Sequence, residues 1–204
     1  MDDPRDLELS TPNLGGRRGV LSDWTTQRWV QVTGKRVDLS DYPWLEGPVG
    51  DVDRIGSAFF RRLADRKKLE VAVYTAWVRE VVSTKRTLYA GSYSVCRVPG
   101  YSGPCVKVVF PLPNGSATVI MRPESNPDGS ITLRSSGARF GDPGFYFFVE
   151  KDPGYGWARY VRTFQEAIRV YVDAQGTLRT DHDLWIWGAR FLRLHYRMRK
   201  RGAA

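Results

Sequence analysis

The sequence predicts an α+β protein. It should be mainly an antiparallel curved sheet or barrel of about eight strands, with a helix packed near its N-terminal end. Three observations predict this. From residue 70 onward, short segments rich in Val, Ile, Tyr, Phe and Trp are divided by the turn signals "STKR", "VPGYSGP", "PNG", "NPDG", "GDPG", "KDPGYG" and "AQG". No long helical pattern alternates with them, which argues against a parallel α/β fold. Ahead of them, "VDRIGSAFFRRLADR" (52–66) puts Val52, Ile55, Phe59 and Leu63 on one helical face, with Asp51 placed to cap its start.

Residues 1–19 hold few apolar side chains and four acids, and are expected to form a disordered tail. The remainder, 20–204, reads as a single β-rich domain with its helix at 52–66 and an antiparallel meander over 70–199. Between tail and helix, Trp24, Trp29 and Trp44 follow no clean period. A short strand or strap at Trp29–Thr33, with irregular chain around it, is the expectation there.

Two hairpins can be registered from the sequence. In "PLPNGSAT", a two-residue turn at Asn114-Gly115 pairs Leu112 with Ala117, Phe110 with Val119 and Val108 with Met121. The other face then pairs Val109 with Ile120 and Lys107 with Arg122. In "VYVDAQGTLRT", a three-residue loop at Ala174-Gln175-Gly176 puts glycine where a positive φ is needed. One face then pairs Val172 with Leu178, Ile168 with His182, Glu166 with Leu184, Phe164 with Ile186, Arg162 with Gly188 and Tyr160 with Arg190. The other pairs Arg169 with Asp181 as ions. A one-residue slip would set apolar side chains against charged ones, so the register is well specified. Read this way, 177–199 is one long strand bulged at Gly188, with Arg193, Arg197 and Arg199 on its wet face.

Composition bounds the function. At 204 residues and 23.2 kDa the chain can bury a real core. No apolar run approaches the length of a membrane span, and the acidic start is unlike a signal peptide, so a cytoplasmic protein is expected. The net charge of +9 is uneven, −3 over residues 1–60 and +12 beyond. Nucleic acid, anionic lipid and acidic partners are all compatible with that. Cys96 and Cys105 flank "RVPGYSGP" without metal or redox spacing, and read as two buried free thiols facing each other across one hairpin.

The familiar catalytic and cofactor motifs are absent, and two histidines cannot make an all-histidine zinc site. No cofactor or metal is expected. In "DHD" (181–183) the acids point away from His182 if the segment is a strand. The last hairpin offers more. Its apolar face carries Arg162, Glu166, His182 and Arg190, and charges left on an inward face need partners or a purpose. They suggest a self-satisfying network, a pocket whose arginines hold a ligand's carboxylate or phosphate, or acid–base catalysis by Glu166 and His182. "RFGDPGFYFFVE" (139–150) adds aromatic rings on both faces of a strand, Tyr146 and Phe148 on one of them, as core or as cavity wall. The terminal "RMRKR" reads as a solvated tail.

The segments "VFPLPNGSATVIMRP", "RFGDPGFYFFVE" and "FLRLHYRM" resemble uncharacterised proteins from actinobacteria. The resemblance implies a bacterial cytoplasmic origin and no particular activity. The leading functional expectation is a binding protein for a small amphipathic or hydrophobic ligand with an anionic group, held in a barrel-like cavity by Arg162, Glu166, His182, Arg190, Tyr146 and Phe148. The alternatives are an enzyme using Glu166 and His182 on such a ligand, and a nucleic-acid-associated protein using its basic C-terminal strand.

The 174–176 loop gives a direct test. Gly176→Val is expected to lower stability by about 1 kcal/mol or more and Gln175→Val to leave it nearly unchanged. Equal losses in chemical denaturation would exclude the register.

Overall fold

The computed structural model describes residues 24–47, 75–80, 83–84, 87–112 and 114–198. The tail at 1–19, the helix expected at 52–66 and Arg199 lie outside the described residues. Helix α1 (Trp24–Thr33) is followed by β1 (Lys35–Asp38) and a 3-10 turn at Pro43–Leu45. Then come β2 (Thr75–Glu80), β3 (Thr87–Cys96), β4 (Cys105–Leu112), β5 (Gly115–Ser125), β6 (Ile131–Arg134) and β7 (Phe145–Asp152). The chain continues with β8 (Tyr155–Tyr160), β9 (Phe164–Val172), β10 (Leu178–Ile186) and β11 (Ala189–Met198). Among the described residues every pairing is antiparallel, and eleven strands join one curved sheet that does not close into a barrel. The fold is α+β.

Strand β5 is the junction. Residues 115–121 pair with β4, 115–119 with β7, and 122–125 with β6. From there β6 leads to β9, β10 and β11, and β7 leads to β8 and β1. The β4–β5 turn falls one residue earlier than expected, which shifts the register by two. Leu112 faces Gly115, Val108 faces Val119 and Lys107 faces Ile120. Asn114 itself takes the positive φ, +58°. Gly115 serves a different purpose, because a Cβ there would lie 2.0 Å from the Phe148 carbonyl oxygen. The two-residue difference keeps every side chain on its expected face.

Following the registers, one face is continuous from β4 to β11. Val108, Phe110, Leu112, Ala117, Val119, Met121 and Leu133 lead on to Ile168, Phe164 and their neighbours, and most pack into one cluster with Phe145. This is the inner face. The opposite face of β4, β5, β7 and β8 is covered by a strap over residues 39–47. Trp44 and Leu45 bury there against Val37, Ile120, Tyr146, Phe148 and Ala158. Lys107 pins the strap, its buried Nζ donating to the Glu46 carbonyl at 2.6 Å. Further along, around β9 to β11, that same face turns charged.

Residues 29–33 are helical rather than extended. Val30 is buried, Trp29 stands edge-on to Phe147 at 6.3 Å, and Arg159 donates to the Thr33 carbonyl at 2.8 Å. These tertiary contacts outweigh the β-branched composition. The second correction is larger. The expected strand 177–199 is two strands, reversed at Trp187-Gly188 with φ +49° and +80°. Ile186 pairs with Ala189 across that two-residue turn. Positive φ at both positions is the type I′ pattern of a tight hairpin. The alternation on either side is real, but it belongs to two neighbouring strands.

The close approach at Gly115 predicts that Gly115→Ala costs about 2 kcal/mol or more, since neither β5 nor the β7 backbone can give way. Gly103→Ala, at a position with open space around it, should leave the melting transition where it is. Equal melting of the two variants would contradict the packing.

Candidate functional site

The β9–β10 register matches the expectation at every pair from Val172–Leu178 to Phe164–Ile186, and Gly176 takes φ +74°. It sets His182 opposite Ile168, with Glu166 as its diagonal neighbour on the inner face. The two side chains meet there. His182 Nε2 donates to Glu166 Oε2 at 2.9 Å, and each side chain is only about a tenth exposed. The Glu166 backbone is held as well: its N–H donates to the Ser135 hydroxyl at 2.8 Å and its carbonyl accepts the Ser135 N–H at 3.0 Å.

In this contact the ring N–H at Nε2 meets a carboxylate oxygen, which accepts. Around the pair the inner face is mostly apolar, with buried Thr180 and half-buried Tyr196 as its other polar side chains on β10 and β11. Phe164, Ile168, Val170, Leu184, Ile186, Leu192 and Leu194 are half-buried, and Val172, Leu178 and Met198 at one end are exposed. Glu166 and His182 are thus a polar spot in a mostly apolar field. Acid–base chemistry and hydrogen bonding to a bound molecule are both within its reach.

The arginines do not join them. Because the chain reverses at 187–188, position 188 never reaches Arg162 and position 190 never reaches Tyr160, which pairs with Tyr146 instead. Arg162 is exposed in the turn between β8 and β9. Arg190 pairs with Trp185 and so lies on the charged face, where it reaches Asp183 at 3.4 Å. Arg193 shares the same carboxylate at 3.1 Å. The acids of the "DHD" segment do point away from His182. Asp181 takes His195 Nδ1 at 2.6 Å. Arg169 stands opposite Asp181 in register, yet it bonds Asp128 and the Ser130 hydroxyl in place of the expected ion pair.

Tyr146 and Phe148 lie on the other side of the sheet, sealed under the strap. The Tyr146 hydroxyl donates to the Asp142 carbonyl at 2.5 Å and accepts the Gly141 N–H at 3.0 Å, and burial pushes its pKa up. Two open hollows, of about 380 Å³ beside Tyr101 and Arg122 and about 330 Å³ beside Ser40 and Gly154, are lined by none of the six candidate residues. Cys96 and Cys105 face each other across β3 and β4 as buried free thiols, and burial pushes the Cys96 pKa up to about 11.

One polar group escaped the sequence reading. Lys107 is buried on the strap face beside Ser92, Ser94 and Thr118, and the hydroxyls of Ser92, Ser94, Ser116 and Thr118 are buried without hydrogen-bond partners among the described residues. The available signal was a lysine interrupting the apolar run "CVKVVFPL".

If the Glu166–His182 pair is mutually dependent, His182→Phe should cost about 3–5 kcal/mol by stranding a buried carboxylate. The double variant Glu166→Leu/His182→Phe should recover most of that loss. Urea denaturation of both variants decides it, and additive losses would mean that the two side chains are not coupled.

No family model, curated protein or solved structure matches this chain, and its site is defined by its own geometry.

Proposed function

We propose that the protein binds a small, largely apolar molecule along the inner face of β9 to β11, with Glu166 and His182 as the polar anchor. The observation that carries this reading is a buried carboxylate–imidazole pair set in a mostly apolar sheet face. Binding sites for small molecules have this make-up, apolar walls with a few placed polar groups that fix orientation. A pair that served stability alone could be replaced by apolar side chains at little cost.

The ligand's head group follows from the anchor. With Arg162 and Arg190 elsewhere, no arginine among the described residues offsets the Glu166 carboxylate, which disfavours an anionic head. A neutral hydroxyl, carbonyl or amide that can bond the exposed edge of His182 fits better. Catalysis is the second reading, favoured by the 2.9 Å contact itself. A carboxylate that orients an imidazole leaves the other ring nitrogen as a base.

Native mass spectrometry of the purified protein, with displacement of a fluorescent hydrophobic probe, tests the proposal. The wild type should carry or take up an apolar molecule, and Glu166→Leu/His182→Phe should weaken uptake about tenfold, the loss of one hydrogen-bonded anchor. Equal uptake by both proteins, or none by either, would overturn it. Conversion of the bound molecule by the wild type alone would establish the catalytic reading.

A further inference from the structure

The tip of the β10–β11 hairpin is built at odds with its own turn. Type I′ turns favour Asn, Asp or Gly at both central positions, because each must take a positive φ. Here the first position is Trp187, at φ +49°, with its side chain 78% exposed. A bulky residue at positive φ is strained, and such strain persists where the surroundings or a function enforce it. No burial offsets it here. The Trp187 N–H donates to the Thr163 carbonyl at 2.9 Å, which fixes the tip beside the turn that carries Arg162.

A second irregularity lies next to it. The β10–β11 register shifts so that Leu184 faces Leu192 while Trp185 faces Arg190, leaving Phe191 as the extra residue of a bulge. Bulges re-aim side chains. Phe191 is 53% exposed and leans on Phe164, with ring centroids 6.0 Å apart. The tip therefore presents two large aromatic rings to solvent. Exposed Arg162 lies in the turn beside Trp187, and exposed Arg190 and Arg193 stand on the charged face behind the tip, with Asp183 as the acid held between those two.

We propose that this tip docks the protein onto an anionic membrane surface. Trp187 and Phe191 would enter the interfacial layer, and the three arginines would meet lipid phosphates. Tryptophan favours the bilayer interface because its body is apolar and its N–H is polar, and arginine extends an apolar stem with a charged end. Neither signal suffices alone, and the pair of signals is the usual requirement for stable peripheral binding. Nucleic acid fits less well. The apex carries Trp187 and Phe191 in solvent, rings that contact with a phosphate backbone would leave unburied and an interfacial layer would bury. Among the described residues no helix is long and apolar enough to cross a membrane, so the proposed contact is a surface one.

The test is cosedimentation of the full chain with vesicles of phosphatidylcholine containing 30% phosphatidylglycerol, against phosphatidylcholine alone. The wild type should partition onto the anionic vesicles and release as salt is raised. Trp187→Asn is the discriminating variant, since it creates the Asn-Gly pair that a type I′ turn favours. It should melt no lower than the wild type and yet lose about tenfold in partitioning. Arg190→Gln with Arg193→Gln should lose about thirtyfold, from two basic contacts. The proposal falls if the wild type ignores anionic vesicles, or if Trp187→Asn binds them equally well. It falls too if Trp187→Asn melts well below the wild type, which would make Trp187 a packing residue. Tighter binding of duplex DNA or RNA than of vesicles at matched salt would also overturn it.

Discussion

Strand β5 meets β4, β7 and β6 along eleven residues, and all three ladders must agree on which side chains face inward. The alternation of a strand leaves no freedom in this. Once Val119 and Met121 point to the inner face, the registers carry that choice through Leu133 and Ile168 to His182 and Leu194. The same constraint puts Thr118 and Ile120 under the strap. A site on β9 and β10 thus takes its orientation from a strand two ladders away, and Gly115 lets the β7 backbone come close enough for the ladders to coexist.

What could be read in the sequence was the information carried by local alternation and by glycine. The 174–176 loop was legible because Gly176 supplies the positive φ and both flanking runs agree on one register. The Glu166–His182 contact followed from that register alone. The Asn114-Gly115 pair misled by two residues because its glycine answers a tertiary close approach, which no local pattern reports. Trp187-Gly188 misled more seriously. Tryptophan is not a residue of type I′ turns, and the alternation resumes beyond the turn as though the strand had continued. Arg162 and Arg190 were brought to the pair only by that missing turn. The helix at Trp24–Thr33 depends on Phe147, Arg159 and Ala158, all more than a hundred residues away.

Polar groups are distributed unevenly over the two faces. On the charged side of β9 to β11, Asp173 and Asp183 hold arginines and Asp181 holds the His195 ring, in partly exposed pairs worth little individually. On the inner side one carboxylate meets one imidazole with little water, where losing a partner costs far more than the contact contributes. The first set adjusts solubility and tolerates substitution. The second constrains sequence, because neither residue can change without the other.

Strand β11 pairs with β10, and among the described residues nothing covers its other edge. Ten residues of unpaired backbone would ordinarily invite a second copy to extend the sheet. Arg193 and Arg197 stand on the charged face of this strand, and an in-register parallel copy would set each beside its own counterpart. The barrier is electrostatic and therefore conditional. Repulsion between like charges weakens as salt shortens the screening length. Charge thus guards the edge against that one pairing, to a degree that salt sets.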